Sequence, residues 1–534
     1  MAVDQRTMKA TPLWNSARLS MAIFAFLGFL NFYSLRVNMS IAIVCMVNHT
    51  AIRHHDATNN TTNAIHQRGT AASCELNADP WNSSLASYSD EEDGELIWDK
   101  EGQGLIHSSL FWGYILTNLP GGILATRYSG KHVMGLSLLA AALLTLLVPV
   151  VARANIQGLM VLRFITGASQ GFVSPAMQSL WTHWAPPLES SRLRSIGFAG
   201  SQLGKVITYP LTALLCQYGF DGGWPSIFYL QGLFGIVWYI AWTYAVYDSP
   251  AQHPRISGTE RHYIESSLSG MVTTNKRLKT PWLAILKSMP VWAIFVAHTC
   301  CNWGEYTFLT NIPTYLKEVL HFDIKENGFL SAVPYIGFWL VITLSSFLAD
   351  FVRSKNILST TATRKVFNSI GKFVPAVLLI GLSFVGCSQW GLAVTLLTLG
   401  VSLTGFQYGG GLFTNVGDIA PSYGGVIYGV SNTIATIPGL LSPVAIALLT
   451  PDQTQEQWRG VFYLSAAIYV FGAVFYIVFS SGSLQPWAVD AAELHVSARE
   501  EELEEKVQLN ETITNDRETM GQTECPRERR TVEC

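Results

Sequence analysis

Few residues of this chain could do chemistry, and they stand in apolar surroundings. Arg36 lies about sixteen residues into the stretch MAIFAFLGFLNFYSLRVNMSIAIVCMV, residues 21–47. A guanidinium presents a planar fork that matches a carboxylate or phosphate bidentately. Arg36 is therefore the first candidate for holding an anion, the alternative being an ion pair inside the protein. Lys205, in Ser201-Gln202-Leu203-Gly204-Lys205, is a second anion contact or the partner of an acidic group. Glu305, in Asn302-Trp303-Gly304-Glu305-Tyr306, is the acidic group at hand. A carboxyl in a low-dielectric site can carry a proton, and it can equally neutralise Lys205 or Arg36. His107 titrates in the range where it could sense an acidic compartment, or it simply faces water at a helix end.

These residues need elements to hold them, and the composition says which. The chain has 534 residues, 49% hydrophobic and 13% charged. Soluble domains run near ~25% charged. A bilayer core of ~30 Å needs ~20 apolar residues as a helix. The chain reads as an all-α membrane protein with twelve spans, at roughly 20–47, 104–126, 132–152, 156–180, 194–217, 225–247, 289–312, 326–349, 367–387, 390–415, 423–449 and 460–480. Soluble enzymes, fibrous proteins and disordered chains are excluded. The net charge of −3 offers no basic surface for nucleic acid. The cysteines are scattered with no CxxC pair, so neither a metal site nor a disulfide framework is expected.

Two long breaks divide the spans six and six. The domains are a cytosolic N-terminal tail (1–19), a first half (20–247) with an exterior loop at 48–103, a cytosolic central loop (248–288), a second half (289–480) and an acidic, mostly disordered cytosolic tail (481–534). Lys and Arg orient them. The central loop holds Arg255, Arg261, Lys276, Arg277, Lys279 and Lys287, and the segment after span 8 holds Arg353, Lys355, Arg364, Lys365 and Lys372. The loop at 48–103 lies on the other side and carries sequons at Asn48, Asn59, Asn60 and Asn82, expected to be glycosylated. No acidic dileucine signal is evident in either tail.

A repeat joins the halves. Span 2 ends in Gly122-Ile123-Leu124-Ala125-Thr126-Arg127, and span 8 ends in Ser346-Phe347-Leu348-Ala349-Asp350 followed by Arg353. The register matches at the same membrane face, so the repeats run parallel. Parallel six-span halves with a midplane site describe the major facilitator architecture. Arg127, Asp350, Arg353 and Asp418, at cytosolic span ends, are expected to gate or to pair helix ends.

Longer motifs narrow this. Tyr33-Ser34-Leu35-Arg36-Val37-Asn38, Phe111-Trp112-Gly113-Tyr114, Leu119-Pro120-Gly121-Gly122, Trp184-Ala185-Pro186-Pro187-Leu188-Glu189 and Asp418-Ile419-Ala420-Pro421 resemble the solute carrier 17 family of anion transporters. That family includes sialin, the vesicular glutamate transporters and the type I phosphate cotransporters. The overall spacing, including Pro313-Thr314-Tyr315-Leu316-Lys317-Glu318, is most similar to sialin. The resemblance runs from about residue 16 to 489.

It implies secondary transport of a small organic or inorganic anion, coupled to H+ or Na+, with no cofactor and no enzymatic activity. It implies a functional monomer in a lysosomal, vesicular or plasma membrane. The family's Arg in span 1 and Arg in span 4 match Arg36 and Arg163, and a family His matches His107. Tyr33 and Asn415 join the expected substrate contacts, and Glu305 and His107 are the expected ion-coupling residues. One departure stands out: sialin-like members place two acidic residues on span 4, where this chain has Thr166 and Gln170. Neither takes up a proton. A sodium-dependent phosphate cotransporter is thus the alternative within the class. An anion channel and a non-transporting receptor are the alternatives outside it.

Overall fold

The computed structural model describes residues 14, 16–48, 51, 94–186, 189–272, 280–420 and 423–488. Within a bilayer every backbone N–H and C=O must be satisfied inside the protein, and a helix does this locally. The twelve expected spans are all helical. Spans 1 to 3 are Ala17–Met46, Lys100–Arg127 and Gly130–Ala154. Span 4 is Ile156–Gln170 and Val173–Trp184, broken at Gly171-Phe172. Spans 5 to 9 are Ser190–Tyr218, Trp224–Ala245, Met289–Glu318, Ile324–Ser354 and Thr360–Leu382. Span 10 is cut into Trp390–Leu403, Gly405–Gly409 and Leu412–Ile419. Span 11 is Gly424–Ile434 and Ile437–Leu449, and span 12 is Gln455–Phe479. Side chains of Ser16, Asp99, Asp323 and Ser359 cap spans 1, 2, 8 and 9 by accepting first-turn N–H bonds.

Among the described residues, eight spans are long and apolar enough to cross a membrane by composition alone. Spans 2, 4, 5 and 7 fall short. They carry His107; Arg163, Thr166 and Gln170; Lys205; and Glu305 respectively. Their polar residues face protein rather than lipid, as intramembrane charges must.

Glycines set the closest helix approaches within the first half. Gly200 and Gly204 bring span 5 onto span 1, where an added Cβ would fall 2.0 Å from the Phe26 carbonyl oxygen and 2.7 Å from that of Leu30. Gly113 and Gly167 do the same for spans 2 and 4. This small-xxx-small spacing lets backbones touch without an apolar driving force in lipid.

Contacts between the halves gather on the exterior side and at mid-depth. Lys100 pairs with Glu318, and Glu318 also accepts from the Trp458 indole at 3.1 Å. Ser108 donates to the Leu440 carbonyl at 2.7 Å, and Tyr209 donates to that of Leu309 at 2.6 Å. On the cytosolic side the central segment is partly helical. Its helix Gly258–Val272 docks on the first half, where the Glu260 carboxylate accepts from the N–H groups of Ala17 and Arg18 at 3.0 and 3.1 Å.

Several expectations need correcting. Cys45 and Cys216 form a disulfide joining the exterior ends of spans 1 and 5, 171 residues apart in sequence. Sequence spacing cannot show that pairing, because helix packing creates it. Arg364 and Lys372, counted with a cytosolic loop, are buried in span 9. Asn48 sits at the exterior end of span 1, where its side chain accepts from Ala51 N–H at 2.7 Å. The sequons at Asn59, Asn60 and Asn82 and the tail beyond residue 488 lie outside the described residues.

Candidate functional site

Span 1 carries Arg36 into a cage of rings. Its guanidinium carbon lies 4.7 Å from the Phe111 and Tyr114 centroids, 5.5 Å from Tyr306 and 5.7 Å from Phe32. Three of these rings belong to the first half, and Tyr306 comes from span 7. The ring faces favour the cation, but Nε and Nη2 are buried with no hydrogen-bond partner. Arg163, on span 4, is buried too, its Nε also unpartnered. It is close enough to Arg36 for the two charges to repel. Two buried guanidiniums with unpartnered donors are a candidate anion site, because buried donors are otherwise nearly always satisfied.

Lys205 and Glu305 form an ion pair that spans the interface between the halves. Lys205 is fully buried, packed under the rings of Tyr33 and Tyr335, each 5.1 Å away, and Phe338 at 5.7 Å. Glu305 keeps some exposure and opens on a small cavity lined also by Gly304, Phe308, Tyr335, Thr404 and Tyr469. Tyr33 thus touches the Lys205 side of the site. The arrangement leaves open donors in the first half while an ion-paired bridge ties that half to the second.

The Major Facilitator Superfamily model matches residues 21–443 of the chain. Human sialin is 44% identical over 482 residues, covering 90% of this chain and 93% of that protein. Human vesicular glutamate transporter 2 is 38% identical over 88% of this chain and 75% of its own length. The chain belongs to the solute carrier 17 family of the major facilitator superfamily. A putative inorganic phosphate cotransporter of Drosophila melanogaster is 40% identical over 88% of the chain and 86% of that protein. Among solved structures, an inward-open xylose transporter of E. coli superposes with a TM-score of 0.62 at 13% identity, covering 89% and 99% of the two chains. A bacterial homologue of the human lysosomal transporter Spinster, inward-facing and occupied, gives 0.60 at 12%, covering 88% and 97%. These two share the fold.

As a solute carrier 17 member, the protein is a membrane-embedded transporter of a small molecule, with twelve helices in two parallel-related halves. The remaining expected site residues fall in four places. His107 is buried rather than facing water, lining a small exterior cavity with Lys100, Gln103, Asn311 and Thr314. Thr166 donates its hydroxyl to the Leu162 carbonyl at 2.8 Å. Gln170, one turn further along span 4, is fully buried with neither amide atom partnered.

Asn415 is not brought to Arg36. Its amide donates to the Tyr476 hydroxyl at 2.8 Å, in the packing of spans 10 and 12. Asp418 pairs with Arg364 of span 9 at 2.6 Å rather than with Arg353. Arg364 also donates to the Gly410 carbonyl at 3.0 Å, tying span 9 to the break in span 10. Arg127 and Asp350 are exposed at cytosolic span ends, and Arg353 is half-buried.

Sequence reasoning missed Arg364 and Lys372 as interior cations. The signal was there, because Arg364, Asn368 and Lys372 recur every four residues and share one helix face. Among the described residues, no group of three His, Cys, Asp or Glu could hold a metal.

Proposed function

We propose that this protein is a secondary active transporter of small organic anions of the sialate, acidic amino acid or carboxylate class, driven by protons. The observation that carries this reading is the Lys205–Glu305 pair, bridging the two halves beside a guanidinium whose donors are open. Sialin and the vesicular glutamate transporter, its relatives, supply the substrate class. Arg36 and Arg163 hold the anion, and Tyr33 and Lys205 complete the contacts. Protonation of Glu305 breaks the bridge, frees Lys205 for the anion and lets the halves rock. His107 lines the exterior cavity beside Lys100, on the path an anion takes to the site. A monomer suffices, because both halves are in one chain. The membrane is that of an acidic organelle or vesicle, or the plasma membrane.

A second reading has its own support. Thr166 and Gln170 stand where sialin-like members have acids, and a putative phosphate cotransporter is among the relatives. Sodium-driven phosphate entry is that reading.

Uptake by reconstituted vesicles under imposed pH, sodium and voltage gradients separates the two. The panel is sialate, glutamate, aspartate, phosphate and urate. In the proton-coupled reading Glu305→Gln loses gradient-driven uptake and keeps anion exchange. Removing one partner of a buried pair leaves a lone charge at ~3–5 kcal/mol. Lys205→Ala should therefore be worse than Lys205→Ala combined with Glu305→Gln. Simple addition of the two single effects would show that the residues are uncoupled and favour sodium drive.

A further inference from the structure

The polar stripe of span 9 ends deep in the second half on a cation with no counter-charge. Arg364 is neutralised by Asp418. Lys372, two turns further in, is fully buried, and no Asp or Glu pairs with it among the described residues. Its ammonium donates to the Ala297 carbonyl at 3.0 Å and lies 5.7 Å from the Tyr469 ring centroid. An ammonium has three donors, so two remain to be matched. Asn368, one turn away on the same face, is fully buried with both amide atoms unpartnered. Gln407 packs against Gly371 and donates to its carbonyl at 2.7 Å, while its own carbonyl oxygen has no partner.

This cluster lies on the seam that holds Glu305. Ala297, Cys301 and Glu305 recur every four residues along span 7. At 1.5 Å per residue, the Lys372 contact is ~12 Å to the cytosolic side of Glu305. Tyr469 touches both, since it lines the Glu305 cavity and lies beside Lys372. The pairs Lys100–Glu318 and Arg364–Asp418 cancel within themselves. Among the described residues deep in the spans, that leaves Arg36, Arg163, Lys205 and Lys372 beside the one carboxylate of Glu305. Arg18 and Lys131, buried at the cytosolic face, have Glu189, Glu260 and Asp248 next to them. A buried ammonium without a counter-ion is unfavourable, and burial is tolerated when an anion completes it.

We propose that Lys372 and Asn368 form an anion subsite in the second half, separate from the Arg36 cage of the first. It takes one carboxylate or one small inorganic anion. Two sources fit that chemistry, the second acidic group of a dicarboxylate substrate and free chloride. The dicarboxylate source rests on the anion-transport reading, and the chloride source does not. Neither needs Glu305 to carry a proton.

Thermal unfolding of the purified full chain in detergent tests this. The protein is held in sodium HEPES and titrated with sodium chloride, with a dicarboxylate (aspartate) and with a monocarboxylate (lactate). The wild type should show a saturable rise in Tm with chloride or with aspartate. Lys372→Met, which keeps length and removes charge, should flatten that response, and Lys372→Arg should retain it. Loss of the chloride response assigns the site to an inorganic anion. A tenfold or greater weakening for aspartate, with lactate unchanged, assigns it to the substrate's second group. Asn368→Leu should weaken the same response and serves if Lys372→Met does not fold. Arg36→Ala should lose the lactate response without losing the response at Lys372, so failure of the Arg36 assignment is read separately. A Lys372→Met protein that answers every anion as the wild type does would overturn the subsite, as would a wild type that answers none.

Discussion

Arg36 is a buried charge with two of its nitrogens left unpartnered. A guanidinium at mid-membrane costs ~2.5–3.5 kcal/mol on insertion scales, and the rings of Phe32, Phe111, Tyr114 and Tyr306 offset part of that. They stabilise its faces and leave Nε and Nη2 without hydrogen-bond partners. Arg36→Lys should therefore raise the apparent KM for the transported anion about tenfold or more at normal surface expression, because the fork is lost while the charge stays. Arg36→Ala should abolish transport and leave the empty protein no less heat-stable. A wild-type KM in either variant, measured by counterflow, would remove Arg36 from the site. Arg36, Lys205 and Glu305 were legible in the sequence because a charge inside an apolar run has few explanations. The ring cage was not, since nearly every span carries aromatic residues and only packing selects four of them. The burial of Lys372 could be read from its spacing with Arg364 and Asn368, but its lack of a paired carboxylate could not, because only packing decides which charges meet.

At the scale of elements, the first half depends on how closely span 5 lies on span 1. Gly200 and Gly204 set that approach, and Lys205 follows immediately. Gly200→Leu should cut the yield of folded, monodisperse protein severely, as read by size-exclusion fluorescence, because the new side chain meets the Phe26 backbone. The Cys45–Cys216 disulfide holds the same two helices at their exterior ends. Disulfides persist in oxidising compartments, which agrees with the lumenal or extracellular side assigned from Lys and Arg. Cys45→Ser and Cys216→Ser should lower Tm equally, and the double variant should do no more than either. Additive losses would mean that the cysteines are not joined. The spans themselves were readable to within a few residues, since ~20 apolar positions in a row announce a helix in lipid. The largest shifts are in span 9, which starts at Thr360 rather than near 367, and span 7, which runs on to Glu318. Polar residues extend both helices where protein, not lipid, surrounds them. The breaks in spans 4 and 10 went unread because glycine is frequent throughout the chain, and the break in span 11 falls at Ala435-Thr436, just ahead of Pro438.

For the whole molecule, the exterior seam is the clamp that a transport cycle must open. Lys100–Glu318, Ser108–Leu440 and Tyr209–Leu309 join the halves there. Lys100→Ala should shift the resting population toward exterior opening. A cysteine placed at Thr314, in the cavity beneath the clamp, should then react several-fold faster with an impermeant thiol reagent added outside. Equal rates with and without Lys100, over the background of the native cysteines, would show that the pair does not hold the seam. The four spans too polar to qualify by composition have one more consequence, which lies in biogenesis. Spans 2, 4, 5 and 7 enter the bilayer poorly as isolated segments, and each needs a partner already present to shield its charge. Span 5 can settle against span 1 as soon as it emerges, but Lys205 stays without its counter-charge until span 7 is synthesised, about a hundred residues later. The first half therefore leaves the ribosome as an incomplete folding unit, dependent on the insertion machinery or an accessory chaperone until Glu305 arrives.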